Sequence, residues 1–172
     1  ALETVSHAKH VWRVPETLGW NGLLDELIPH WSSTIDPSLL RDNVWGGLVS
    51  QRGKPPIPGS GAIIFILRLV LLGYLDALRG HRYRQVIVTR SDHWFACARP
   101  RLSVHEDAVH VPDGEDYWGG VTDRHVVFAF ASRARVLGVL PWLLRHDNAT
   151  SLINTERVIG AYFTSSRLAG RR

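Results

Sequence analysis

Two short polar clusters in this 172-residue chain hold residue types that can do chemistry. The first is Thr89-Arg90-Ser91-Asp92, which follows the β-branched run Val86-Ile87-Val88. The second is the stretch "HVPDGEDYWGGVTDRH", residues 110–125, which presents Asp113, Glu115, Asp116 and Asp123 around the pair Gly119-Gly120. A carboxylate at the carboxyl end of a strand can hold a divalent cation, because hard cations prefer oxygen ligands. An arginine there makes planar, two-pronged contacts to phosphate. A second carboxylate can accept a proton from an attacking hydroxyl. Adjacent glycines let the backbone turn tightly or approach a ligand.

Each of these residues also has a plain structural reading. Asp92 after a strand can be a turn or cap residue. Asp123 can be the ion-pair partner of Arg124, and Asp113, Glu115 and Asp116 can simply solvate a loop. The tryptophans are core material, with Trp118 set apart by its place inside the acidic loop. His93, His110 and His125 lack metal-ligand spacing and read as structural.

The elements that must position the clusters follow from pattern. "RGKPPIPGSG" is a breaker segment, and it precedes an apolar helix expected over 62–79. Ser60 and Gly61 stand at its start as a cap, without the Lys-Ser/Thr ending of a phosphate loop. "VIV" reads as a strand buried on both faces of a parallel sheet. In such sheets ligands bind outside the carboxyl ends of the strands. "AVHVP" and "RHVVFAFAS" read as two more strands. Ser132 is the expected cap of the helix "RARVLGVLPWLLR", which Pro141 is expected to kink or split. "NTERVIGAYFTSSRLAG" reads as a last helix capped by Asn154 or Thr155. Earlier in the chain, "NGLLDELIPHW" fits a short helix, "DPSLLRDNVW" a helical turn and "VWRV" a short strand. One domain spanning 1–172 is the simplest organisation.

Composition narrows the class. Hydrophobic residues make up 45%, which argues against global disorder. The single cysteine, Cys97, excludes an intrachain disulfide and a cysteine metal centre. The net charge of +4 comes almost entirely from arginine, with Lys9 and Lys54 the only lysines. That balance permits anionic ligands but is modest for a nucleic-acid binder, and no nucleic-acid partner is expected. "GAIIFILRLVLLGYL" is the only membrane candidate. It runs about 15 residues with Arg68 near its centre, where a span needs about 20 apolar residues. The absence of methionine reads as a processed product, a trimmed form or a fragment.

"PGSGAIIF", "TRSD", "PDGEDYWGG" and "TDRH" together resemble glycosyltransferases of the GT-A fold type, specifically the glycosyltransferase-like proteins of plants, algae and large DNA viruses. The similarity covers roughly residues 58–132. It implies a single α/β domain with a mixed, mostly parallel central sheet flanked by helices and lacking its first strand, the amino terminus being truncated. It implies transfer of a sugar from a nucleotide-diphospho-sugar to a hydroxyl of a glycan or glycoprotein, with inversion. By position in the motif, Asp92 would hold Mn²⁺ or Mg²⁺ and Asp123 would be the catalytic base. Arg90, Ser91, Asp113, Glu115 and Arg124 would contact the donor, and Asp116 and Trp118 the acceptor. Arg90 stands where the family has the first carboxylate of an Asp-x-Asp motif, which puts metal dependence in question. The alternative is a non-catalytic domain that binds nucleotide or glycan without turnover.

Overall fold

The computed structural model describes residues 10, 12, 25–29, 60–78, 83–90, 102–114, 116, 119–145 and 155–171. Its elements are helix α1 (Ser60–Ala77), strands β1 (Gln85–Thr89), β2 (Ala108–His110) and β3 (His125–Ala129), a 3-10 turn (Phe130–Ser132), helices α2 (Arg133–Leu137), α3 (Val139–Leu143) and α4 (Thr155–Ser165), and strand β4 (Ala169–Arg171). The fold is mixed α/β. The four strands form one sheet in the order β1-β3-β2-β4. Among the described strands the sheet is mixed rather than mostly parallel as expected: β3 runs antiparallel to both β1 and β2, and β2 and β4 are parallel.

The central strand is β3, all five of whose residues are buried. Val126 and Phe128 join Phe65 and Ile66 of α1, Val109 of β2, and Val158 and Ile159 of α4 in the core. β1 corrects a second expectation. Among the described strands it lies at the sheet edge, with Val86 buried and Ile87 47% exposed. A β-branched run fits a pleated surface with one face covered as well as one with two, so "VIV" alone did not reveal the difference.

α1 was expected two residues later at each end. It buries Phe65, Ile66, Arg68 and Leu75 and packs on α2 and α3. Arg133 ties these helices together. Its Nη2 and Nε lie 2.7 and 2.8 Å from Asp76 Oδ1, and its guanidinium stacks 4.6 Å from the Phe130 ring centroid. The expected split of "RARVLGVLPWLLR" falls at Gly138, between α2 and α3. Pro141 explains the position, since its ring crowds the carbonyl four residues back, at Leu137. Ser132 does not cap α2 through its side chain. Its hydroxyl donates instead to the Glu106 carbonyl.

The last helix is shorter than its apolar pattern suggested. α4 ends at Ser165, and residues 169–171 form β4. Arg167 adopts a left-handed conformation at φ 54°. The Leu168 N–H donates to Phe163 O at 2.9 Å and the Arg167 N–H to Thr164 O at 3.1 Å. This paired bonding closes a helix end, here without the glycine that usually announces it. Residues 25–27 are helical within the expected "NGLLDELIPHW", and Leu27 and Ile28 pack on the core. The expected "VWRV" strand and "DPSLLRDNVW" turn lie outside the described residues, apart from Trp12. Among the described residues no helix is long and apolar enough to cross a membrane.

Two glycines test this packing in opposite directions. A Cβ on Gly73, in mid-α1, meets nothing within 4 Å, whereas one on Gly120 falls 2.2 Å from the Glu156 carbonyl carbon. Gly73→Ala is expected to raise unfolding free energy by about 0.5–1 kcal/mol through helix propensity. Gly120→Ala is expected to lower it by about 1–3 kcal/mol through overpacking. Urea denaturation of both variants checks the pair.

Candidate functional site

The antiparallel register sets Thr89, the last residue of β1, opposite His125, the first residue of β3. The end of β1 and the loop entering β3 therefore lie at the same edge of the sheet. The Arg90 N–H donates to the Arg124 carbonyl at 3.0 Å, which extends the pairing by one step. Arg90 Nη1 then lies 4.0 Å from Asp123 Oδ2. The two clusters singled out in the sequence thus meet through Arg90 and Asp123. Asp92, Ser91, Glu115 and Trp118 lie outside the described residues.

The loop entering β3 is held by its own polar groups. The Thr122 N–H donates to Asp116 Oδ1 at 3.0 Å, and the Arg124 N–H to Thr122 Oγ1 at 3.3 Å. Asp116, expected at the acceptor, is therefore half-buried and engaged in shaping the loop. Asp113 is exposed beside Gly114, whose φ of +78° requires glycine. Gly120 lies against the backbone of Glu156 and Arg157 at the start of α4, and the Val121 N–H donates to the Glu156 carbonyl at 2.9 Å. The Gly-Gly pair serves a close approach, as its residue type suggested, but to the protein's own helix.

Asp123 is buried, with a side chain only 5% exposed. Arg68, from the middle of α1, is 4% exposed and donates from Nη2 to the Asp123 carbonyl at 3.4 Å. Burial pushes the Arg68 guanidinium below its ordinary value, and the negative charge of Asp123 pulls it back up. Arg68 Nε and Nη1 are buried with no hydrogen-bond partner among the described residues. The Arg90 side chain is 48% exposed and Arg124 is exposed, so two cations at this edge face solvent while the third sits beneath.

Two members of the cluster were missed in the sequence. Arg68 served there only to argue against a membrane span, yet a charge in the middle of an apolar helix is itself a signal that a counter-charge waits in the fold. Glu156 looked like an ordinary acid in a helix's first turn. It is half-buried and lies within electrostatic reach of Asp123, Arg124 and Arg90. Burial raises its carboxyl above the usual glutamate value of 4.5; its own backbone hydrogen bond lowers it, Asp123 raises it, and Arg124 and Arg90 lower it.

Among the described residues no three His, Cys, Asp or Glu side chains gather as a metal centre. Chemically, the edge offers guanidinium groups for an anion and two carboxylates of different burial. Comparison with protein-family models, curated proteins and solved structures finds no match for this chain.

The raised Glu156 has a consequence for stability. A group whose folded value lies above its unfolded one holds its proton more tightly in the fold. That contribution is complete below about 4.5 and is lost as pH rises through the raised value. Subtracting wild-type from Glu156→Gln unfolding free energies, measured from pH 4 upward in roughly half-unit steps, should give a difference that grows in the variant's favour with pH and then levels. A flat difference would show that the Glu156 carboxyl titrates alike in both states.

Proposed function

We propose that this chain is a glycosyltransferase domain of GT-A type, acting on a nucleotide-diphospho-sugar and transferring its sugar to a hydroxyl of a glycan or glycoprotein. The observation that carries the reading is the meeting of Arg90 with Asp123 at one sheet edge, with Arg90 half-exposed. The motif resemblance concerns the same two stretches. In an inverting transfer the acceptor oxygen bonds to the anomeric carbon as the bond to the diphosphate breaks. Negative charge then grows on the departing diphosphate. Arg90 and Arg124 supply fixed positive charge there, which is the help such a leaving group needs. Asp92 is the residue that would hold Mn²⁺ or Mg²⁺, adding further charge at the diphosphate. Asp113, Ser91 and Glu115 remain assigned to the donor, and Trp118 to the acceptor.

A second reading, a domain that binds the nucleotide-sugar without turning it over, is favoured by the burial of Asp123. A carboxylate that is 5% exposed and faces Arg90 at 4.0 Å suits the orienting of an arginine better than the receiving of a proton.

Calorimetric titration with UDP- and GDP-hexoses, with and without Mn²⁺, tests both readings when paired with an assay for released nucleoside diphosphate. Saturable binding is expected, and Arg90→Met should weaken it about tenfold to a hundredfold, the value of one charged hydrogen bond. Release over time supports the transferase, and binding without release supports the second reading. Absence of binding to any donor rejects both.

A further inference from the structure

We infer that Glu156, at the start of α4, is the group that takes the proton from the acceptor hydroxyl, while Asp123 positions the arginines. The inference rests on the proposed transferase reading and assigns a residue that the motif does not contain.

Geometry places the main chain of Glu156 against the loop that carries Asp123. Its carbonyl accepts from the Val121 N–H at 2.9 Å, and its backbone abuts Gly120 so closely that no side chain fits between. The first turn of α4 is therefore fixed against the loop that carries Asp123. The charged groups that act on its carboxylate are Asp123 and Arg124 from that loop and Arg90 from the end of β1. They are the same residues that would surround the diphosphate and the reacting carbon. A base must also reach its substrate. Glu156 is half-buried, with part of its surface open to an incoming hydroxyl, whereas Asp123 is enclosed.

The surroundings point independently to a ligand. Arg68 Nε and Nη1, together with Thr155 Oγ1, are buried with no hydrogen-bond partner among the described residues. Thr155 immediately precedes Glu156 and is 2% exposed. Buried polar atoms of this kind are rare in native proteins and call for an explanation such as a bound polar group. The upward shift of the Glu156 carboxyl, caused first by burial, also suits a proton acceptor, because basicity rises with it.

The step balances. The acceptor O–H proton moves to the Glu156 carboxylate as the oxygen bonds to the anomeric carbon. The bond from that carbon to the diphosphate oxygen breaks, and its electron pair leaves with the nucleoside diphosphate. Glu156 then returns the proton to solvent.

The test uses the full chain with UDP-glucose and GDP-mannose, with Mn²⁺ and with water as the acceptor, following release of nucleoside diphosphate against pH. Wild-type rate should rise with pH to a plateau. Glu156→Gln should lower kcat by about a hundredfold to ten-thousandfold with donor affinity unchanged, and the rising limb should vanish. Glu156→Asp should keep a limb at a lower rate, and it decides the matter if the glutamine variant does not fold. Asp123→Asn should weaken donor binding and leave the limb in place. Normal turnover and an intact limb in Glu156→Gln would overturn the assignment while leaving the transferase standing. Wild-type protein that binds donor but never releases nucleoside diphosphate would overturn the transferase reading and this inference with it.

Discussion

A guanidinium buried in the middle of an apolar helix constrains everything around it. Arg68 is 4% exposed, and removing such a charge from water is costly unless an opposite charge accompanies it. Asp123 is that charge, and it is buried too. Removing Asp123 would strand Arg68, whereas removing Arg68 would leave Asp123 with Arg90. α1 and the loop entering β3, 55 residues apart in sequence, are thereby held at fixed separation. Arg90 binds the same carboxylate from the end of β1, and the Glu156 carbonyl holds the loop from the start of α4. Three segments, α1, the end of β1 and the start of α4, thus converge on one short loop.

On the proposed transferase reading, the arrangement separates two tasks that a surface carboxylate would combine. Asp123 is enclosed among cations, where it can set their direction. Glu156 has its carboxylate partly in solvent, where it can exchange a proton. Two carboxyl groups pushed into different environments can take different chemical roles. Arginine suits the cationic side, since a planar fork meets a phosphate in two places and stays charged even when buried.

Element type was more legible than element arrangement. The apolar helix emerged within two residues of its ends, and of the strands read from the sequence the three that fall within the described residues formed. Their directions did not follow, because "VIV" is compatible with a buried parallel strand and with an edge strand that covers one face. The end of α4 escaped because Arg167 takes a left-handed conformation that sequence assigns to glycine or asparagine. At the candidate site, Arg90 and Asp123 stood out by type and by their place at strand ends. Glu156 did not, since it is conspicuous only once the fold brings it within electrostatic reach of Asp123, and Arg68 carried a signal, a charge inside an apolar helix, that was read only against a membrane span. The Gly119-Gly120 pair was read as a tight turn or an approach to a ligand, and the structure shows Gly120 packed against the start of α4 instead.

The coupling between the two buried charges is most directly measured by a double-mutant cycle on Arg68 and Asp123. Unfolding free energies would be taken for wild type, Arg68→Met, Asp123→Asn and the double variant. Asp123→Asn leaves the buried Arg68 guanidinium without its counter-charge and is expected to cost about 3–5 kcal/mol, whereas Arg68→Met leaves Asp123 with Arg90 and is expected to cost less. The double change leaves neither charge, so it should cost less than the sum of the singles, with a coupling of about 1–3 kcal/mol. Additivity within about 0.5 kcal/mol would contradict this, because it would mean that the two charges stand in the fold without sensing each other.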